Sequence, residues 1–527
     1  TYTIYSYLLK IIKIEKNKST DFIVMGLYLL ILLIYLYSGS LSVNYCKFSS
    51  VVVLILSSVI ATSFVVLFMS LPIGRLGVFI AIALSVLNAC IIFLGSKYGG
   101  ASEGIVSSIM DTNMSESLEY ASSNSFPLSV LLSILLFIAL WKLTNISNDL
   151  FKNTRHSLAF IVGITVISSL PFLYKAGKVD SPIWYLLEVI PEVRLGVTII
   201  GTLESRRLER EPIDSQWEDI TSSKSGYTYI VIIGESAQKK AFHFYGNSVN
   251  TTEEITLLPG WTIISDAIAP AVLTRTSVVR LLSFNEKENV NVNLNIIDLA
   301  KASGLKTYWF SNQGAMGFND TPVTRIAKRA DEKLFHNFDF SKAKSDFVLL
   351  GDLKRSINAK GDQLFFLHTI GSHSDFCKRT SEALFSVTKR LGVKDLDCYN
   401  DSILNTFHFI KEVQSIMISK GLKYKIIYLS DHGLVDVEDA PYKVHGAGRL
   451  FSREAVEVPL IFIEDSKGKG VMKDATYFLR DFPHTFADWI GVESLNVDET
   501  KSILSMKKGD EQEPYVIDSS ESFTYFE

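Results

Sequence analysis

Glu235 emerges from the run Tyr229-Ile230-Val231-Ile232-Ile233, which is unbroken, apolar and mostly β-branched and stops at Gly234. Such a run reads as a buried strand. A carboxylate at its carboxyl end needs a partner, because burying it alone is costly. Polar, metal-capable residues recur after other strand-like runs. Asn312 follows LKTYWFS (305–311), His368 lies within DQLFFLHTIG (362–371) and His373 just after it. Asp431 and His432 follow YKIIYLS (424–430), and His445 comes a little later in VHGAG. Each alone reads as a cap or turn residue. Together they read as one site, because strand carboxyl ends converge on a single crevice in a parallel sheet. Glu, Asp and His suit zinc, which accepts carboxylate oxygen and imidazole nitrogen. Asp431-His432 is the most telling pair: neighbours in a turn can both face one ion, and Gly433 permits the tight backbone.

A catalytic zinc centre keeps one position for a nucleophile or substrate. The stretch DAIAPAVLTRTSVVRLLSF (266–284) offers one, with Thr274 and Thr276 ahead of the apolar helical run Val278, Val279, Leu281, Leu282. Such a threonine reads first as an N-cap. Beside a metal its hydroxyl becomes a nucleophile, and the helix dipole favours a covalently bound phosphate. Ser236 reads as a cap of the helix that follows it.

From residue 226 onward, strand-like runs, VPLIFIE (458–464) among them, alternate with amphipathic segments such as 292–304 and 402–421. That pattern predicts a mostly parallel α/β sheet sandwiched by helices. The hydrophobic fraction of 47% conceals an asymmetry, because most of the apolar excess lies before about Lys175. Five apolar segments, roughly 22–38, 49–70, 75–95, 126–142 and 157–174, each have the length of a transmembrane helix. The basic residues Lys10, Lys13, Lys16, Lys18, Arg75, Lys142, Lys152 and Arg155 fall on one side of these spans, against Lys47 and Lys97 on the other. The basic side is cytoplasmic by the positive-inside rule, so everything after Lys175 lies outside the cytoplasm. The expected organisation is a membrane domain over 1–175, a juxtamembrane connector over 176–225 with part of it along the bilayer surface, and a catalytic domain over 226–527. No cleavable signal peptide is visible. The net charge of −4 is small, and nucleic acid is not an expected partner.

The motifs IIGESAQKKAFHFYG (232–246), TRTS (274–277), WFSNQG (309–314), LHTIGSH (367–373), CYNDSIL (398–404) and YLSDHGL (428–434), in this order, resemble those of the phosphoethanolamine transferases. The resemblance runs from the apolar segments to at least His445, and in the membrane half rests on span count and a TN-x-x-E loop (112–116). It implies an inner-membrane enzyme with five transmembrane helices and a periplasmic domain of alkaline phosphatase/sulfatase-like fold. It implies at least one Zn2+, a second being possible, held by Glu235, Asp431, His432 and Thr274. Thr274 is also the implied nucleophile, because the family pattern Thr-x-x-Ser matches Thr274 and Ser277; the dipole argument alone does not separate it from Thr276. His373 and His445 would contact the phosphoryl group or a second zinc, and Asn312 would position the donor head group. Thr112 and Glu116, four apart, share one face of a helix and would approach the ethanolamine of phosphatidylethanolamine, the implied donor. The implied acceptor is lipopolysaccharide, and the protein is expected to be a monomer.

Some positions depart from the family pattern. Gln238-Lys239-Lys240 replaces the usual Arg after GES, Leu434 replaces an acid, and the half-cystines flanking the nucleophile in lipid A-modifying members are absent. These departures favour a core sugar or other glycan over lipid A. Cys377 and Cys398 both fall in the outer domain, where an oxidising compartment favours a disulfide; Cys46 and Cys90 are expected to pack in or beside the membrane half. Two rivals remain. A hydrolase of the same fold, if a sulfatase, would want C/S-x-P-x-R, which is missing near Thr274. A receptor or transporter with an outer binding domain has no need of such a ligand set, and the five spans carry no charge suggesting a translocation path.

Overall fold

A computed structural model describes residues 2–41, 48–69, 71, 75–98, 101–111, 125–153, 155–176, 190–208, 212–222, 226–313, 322–336, 345–358, 362–373, 376–379, 394–436, 443–446, 451–506 and 512–525. The chain divides into two compact units, one of 1–101 with 121–204 and one of 102–120 with 205–527.

The first unit holds the helices Tyr2–Ser40, Phe48–Met69, Arg75–Tyr98, Ser125–Asn153 and Arg155–Ala176. In four of them an apolar stretch is long enough to cross a membrane: Asp21–Ser40, Val51–Met69, Arg75–Ser96 and Phe126–Asn145. The fifth expected span lies in the helix Arg155–Ala176, whose described apolar residues run over Ala159–Phe172 and include Pro171. Val24, Ile31, Val65, Leu136 and Leu140 pack the seam between helices. Phe22, Leu33, Phe79, Leu131 and Ile167 are exposed on the outside, the inversion expected where lipid replaces water. Part of the expected connector forms the helix Pro191–Leu208, and Val193 on it packs against the core of this unit. Its Glu192 is buried and accepts a hydrogen bond of 2.6 Å from the Tyr35 hydroxyl.

The second unit is built on one mixed sheet. Its strands are β1 (Thr228–Gly234), β2 (Trp261–Ile268), β3 (Lys306–Ser311), β4 (Glu332–Phe335), β5 (Gln363–His368), β6 (Tyr424–Ser430), β7 (Glu457–Val458), β8 (Leu460–Glu464) and β9 (Val471–Phe478). Among the described residues their order is β7-β2-β8-β6-β1-β5-β3-β4, with β9 also paired to β2. The strands β6-β1-β5-β3-β4 are parallel. Beyond β6 the sheet turns antiparallel, through β8, β2 and β7. Every residue of β1 is buried, as a strand covered on both faces must be. Side chains alternate between the faces. Ile230 and Ile232 join Phe407, Ile410 and Val413 of the helix Lys394–Ser419 on one face. Tyr229 meets Trp489 of the helix Phe482–Ile490 edge-on at 5.0 Å on the other.

His484 on that last helix supplies a pH prediction. Its Nδ1 accepts from the Asp498 N–H at 3.0 Å, and Phe284 packs against its ring. Burial pushes its pKa from 6.5 down to about 4, against the opposing pull of Asp481. Between those values the unfolded chain holds a proton that the folded chain lacks, so stability falls as the pH falls through that window. The expected loss by pH 4 is up to about 3 kcal/mol. His484→Gln flattens this dependence in denaturant titrations run from pH 7 to pH 4; an unchanged slope would show that His484 does not carry it.

Candidate active site

β1 and β6 are parallel neighbours with Gly234 opposite Ser430, so Glu235 and Asp431 leave the sheet side by side. Candidate ligand atoms of Glu235, Asp431 and His432 lie within 4.8 Å of one another, and all three residues are buried. The Thr274 hydroxyl closes the group, 3.1 Å from Glu235 Oε2 and 3.2 Å from His432 Nε2. Thr274 is the first residue of the helix Thr274–Leu282, and Leu273 rather than a threonine stands at the cap position. Its hydroxyl is therefore turned to the acidic cluster. Ser277, one turn on, donates to the Asp431 carbonyl and ties the helix to that strand end. Thr276 faces a different cavity.

The donor set fits a metal ion. His432 Nδ1 sits 2.7 Å from the Gly433 carbonyl, which only accepts, so Nδ1 carries a proton and Nε2 is the nitrogen turned to the carboxylates. Asp431 Oδ1 accepts from the backbone N–H of Ser236 and His432 at 3.0 and 2.7 Å. Its other oxygen, Oδ2, is buried with no hydrogen-bond partner among the described residues. An orphaned carboxylate oxygen beside a second carboxylate is costly, and a cation relieves it. Burial and the neighbouring Glu235 charge push Asp431 up to about 7. Burial also works to raise Glu235, but the imidazoles of His432 and His373 and the Ser236 hydrogen bond outweigh it and hold it near 2. The two carboxyls thus resist being ionised together, and a cation between them relieves the repulsion.

Glycines admit this packing. Gly371 has φ +47°, and a Cβ there would come within 2.9 Å of the Glu235 backbone. A Cβ on Gly433 would meet the Glu454 carbonyl at 2.3 Å. Ser236 also has positive φ, +57°, and its hydroxyl donates to Glu235 Oε1 at 2.7 Å. The expectation that Ser236 caps a helix is corrected: the 3-10 turn that follows starts at Lys239, with Gln238 at its cap.

The other expected residues are placed as follows. The His445 ring lies 5.1 Å from that of His432. His373 follows the Gly371 turn, near enough for its charge to act on Glu235. Asn312 is fully buried. Its amide donates at 2.8 Å to Asp346, which also accepts from the Ile370 and Gly371 N–H groups at 2.8 and 3.0 Å. Asn312 thus stands within the support of the His373 turn. Asp346 escaped the sequence reading because it follows no strand-like run. Gln313 was missed too: it donates to Glu235 Oε2 at 3.2 Å and to the Thr369 carbonyl at 2.8 Å, and its place in WFSNQG was the signal. Thr112 and Glu116 lie outside the described residues. The helix that precedes them, Glu103–Asp111, packs against the Thr274 helix.

Cys377 and Cys398 are joined by a disulfide. Next to it, the Tyr399 hydroxyl donates to the Ser236 carbonyl and accepts from the Gln238 N–H, both at 2.9 Å. The bridge spans 21 residues, a loop whose closure is worth about 3 kcal/mol in a chain-entropy account. Cys377→Ser with Cys398→Ser is expected to lower stability by about that amount, read as a shift in the denaturation midpoint; an unchanged midpoint would show that the bridge adds no stability.

Comparison with known proteins places this architecture. The Sulfatase family model matches residues 227–492, and a model described as phosphoethanolamine transferase EptA/EptB matches residues 59–178. The chain belongs to the sulfatase family. Within it, the second model and the relatives assign the chain to the phosphoethanolamine transferases. Phosphoethanolamine transferase OpgE of Escherichia coli is 27% identical over 448 residues, 80% of this chain and 82% of that protein. A putative phosphoethanolamine transferase of Haemophilus influenzae is 28% identical over 384 residues, covering 68% and 74%. The integral membrane lipooligosaccharide phosphoethanolamine transferase A of Neisseria meningitidis shares the fold, with a TM-score of 0.64 at 15% identity over 90% of this chain and 97% of that one. The zinc complex of the periplasmic domain of Escherichia coli EptC has a TM-score of 0.51 at 19% identity, covering 59% and 96%.

Proposed function

We propose that this protein transfers phosphoethanolamine from phosphatidylethanolamine to a glycan acceptor of the lipopolysaccharide, a core sugar in preference to lipid A, through a covalent intermediate on Thr274. The observation that carries this reading is the Thr274 hydroxyl, set at a helix N-terminus within hydrogen-bond reach of Glu235 and His432. Glu235, Asp431, His432 and Thr274 would hold Zn2+; a zinc-bound relative of this fold supports the choice of metal. When bound, zinc lowers the pKa of the threonine hydroxyl and screens phosphate charge.

Thr274 Oγ gives up its proton and attacks phosphorus; the bond from phosphorus to the glycerol oxygen breaks, and diacylglycerol leaves as the protonated alcohol. The acceptor hydroxyl then attacks the same phosphorus, the bond to Thr274 Oγ breaks, and the acceptor's proton restores the threonine. The first-turn N–H groups of the Thr274 helix stabilise phosphate oxygens in both steps. His373 and His445 border the cluster and orient the phosphoryl group. Thr112 and Glu116 meet the ethanolamine, Glu116 pairing with its ammonium; the packing of Glu103–Asp111 on the Thr274 helix supports this. Asn312 acts on the head group through Asp346 and the His373 turn. The organisation is a membrane domain over 1–175, a connector over 176–225 and a periplasmic catalytic domain over 226–527, acting as a monomer in a bacterial inner membrane where the donor resides.

The test is mass spectrometry of lipopolysaccharide from cells with and without the protein. A phosphoethanolamine increment on the core is expected. An increment on lipid A moves the acceptor. Free phosphoethanolamine with no modified glycan would replace the transferase by a hydrolase.

A further inference from the structure

Ser236 holds both carboxylates of the candidate metal centre at once. Its hydroxyl donates to Glu235 Oε1 at 2.7 Å, and its backbone N–H donates to Asp431 Oδ1 at 3.0 Å. Each acid is thereby anchored through one oxygen. Glu235 Oε2 is left to the Thr274 hydroxyl and the Gln313 amide, at 3.1 and 3.2 Å. Asp431 Oδ2 is left 3.4 Å from His432 Nε2, without a hydrogen-bond partner among the described residues. The anchoring thus fixes which oxygen of each acid faces Thr274 and His432, the two remaining proposed ligands.

The backbone that makes this reach possible is strained. Ser236 has φ +57°, a left-handed conformation that glycine adopts freely and a side chain resists. Asp219, Lys287, Asp362 and Glu521 also have positive φ, but among these five described residues Ser236 alone is buried. Hydrogen bonds on both sides enforce the turn. The Gly234 carbonyl accepts from the Asp431 N–H at 3.1 Å, and the Glu235 carbonyl accepts from the Ser372 N–H at 2.9 Å. The Ser236 carbonyl accepts from the Tyr399 hydroxyl at 2.9 Å, and the Ala237 N–H donates to Ser430 Oγ at 3.0 Å. Strain of this kind persists only where the surroundings enforce it, and it gathers at sites that need preset geometry. A glycine would relieve the backbone here; only a side-chain hydroxyl also reaches Glu235.

We propose that Ser236 is the positioning residue of the metal centre: its strained conformation sets the Glu235 and Asp431 carboxylates in place before a cation arrives, and so raises metal affinity. The proposal rests on the metal-dependent transferase reading and adds to it the residue that organises the ligands.

Metal-stripped full-length protein in detergent, titrated with Zn2+ against a chromophoric zinc chelator, tests it, with thermal denaturation of the metal-free protein alongside. Ser236→Ala is expected to lower zinc affinity about 10–100-fold, the range for losing a group that orients a ligand. Ser236→Gly is expected to lower it at least as much, yet to melt above Ser236→Ala in the metal-free state, because glycine relieves the positive φ. Ser236→Thr keeps the hydroxyl and is expected to bind zinc within about threefold of the parent. A merely structural role would make affinity follow melting temperature across Ala and Gly; the expected result separates the two. Unchanged zinc affinity in Ser236→Ala and Ser236→Gly overturns the proposal, as does a loss in Ser236→Thr equal to that in Ser236→Ala. If Ser236→Ala does not fold, Ser236→Gly and Ser236→Thr decide, the first required to bind weakly and the second close to the parent. A parent that binds no zinc overturns the positioning role outright. Zinc binding that depends on Ser236, in a protein that takes up no phosphoethanolamine from lipid, leaves the positioning role standing and removes the transferase reading. Uptake with a zinc affinity indifferent to Ser236 does the reverse.

Discussion

Thr274→Ala is expected to abolish phosphoethanolamine transfer, with a fall in rate on the order of 10⁴ or more, the size of effect seen when a covalent nucleophile is removed. The reason is geometric. The Thr274 hydroxyl is the group that the helix presents to Glu235 and His432, and threonine without such neighbours is a poor nucleophile. Thr274→Ser keeps an oxygen at the same position and is expected to retain activity at a reduced rate. The decisive measurement is peptide mass spectrometry of the full-length enzyme after incubation with phosphatidylethanolamine and no acceptor. The adduct is expected on Thr274. An adduct on Thr276, or an unmodified enzyme that still transfers, would reject the covalent role proposed for Thr274.

Asp431→Asn is expected to have two effects of opposite sign. It removes a proposed metal ligand while keeping the side chain's shape. Metal retention after dialysis, read by elemental analysis, should fall on the order of 10³-fold in affinity, more than the 10–100-fold typical of losing a second-layer partner. Transfer should fall with it. In the metal-free state, however, the variant should be more stable than the parent by about 1–3 kcal/mol, because the buried Asp431 carboxylate crowds Glu235 and leaves Oδ2 unpartnered. In the parent, added metal raises the melting temperature by binding the folded state alone; in the variant that rise should disappear. Parent-like metal content in Asp431→Asn would remove Asp431 from the ligand set. A metal-free variant less stable than the metal-free parent would show that the pair is not strained.

What could be read ahead of the fold was whatever depends on local order along the chain. The run ahead of Glu235 is a strand because five consecutive apolar, mostly β-branched residues suit little else, and β1 is buried throughout. Asp431-His432 was legible because two ligand-capable residues adjoin a second such run. The spans were legible because length and apolarity are properties of a segment, and the fifth is a helix although it contains Pro171. Strand direction was not legible: the run of β8 looks the same whichever way it runs, and only its pairing with β6 and β2 makes that side of the sheet antiparallel. Asp346 and Gln313 belong to segments without periodicity, and their importance appears only as hydrogen bonds to the Gly371 turn and to Glu235.

The composition of the proposed ligand set was thus determined by the sequence itself, since Glu235, Asp431 and His432 each end or follow a strand that local patterning specifies. Which threonine joins them was decided only in three dimensions. Thr274 and Thr276 share one turn and one helix dipole, so no local rule separates them; a helix turns by about 100° per residue, and two residues suffice to point one hydroxyl at the acidic cluster and the other into a different cavity. The angle at which that helix is tied to the end of β6, through Ser277 and the Asp431 carbonyl, is a property of the packed fold alone.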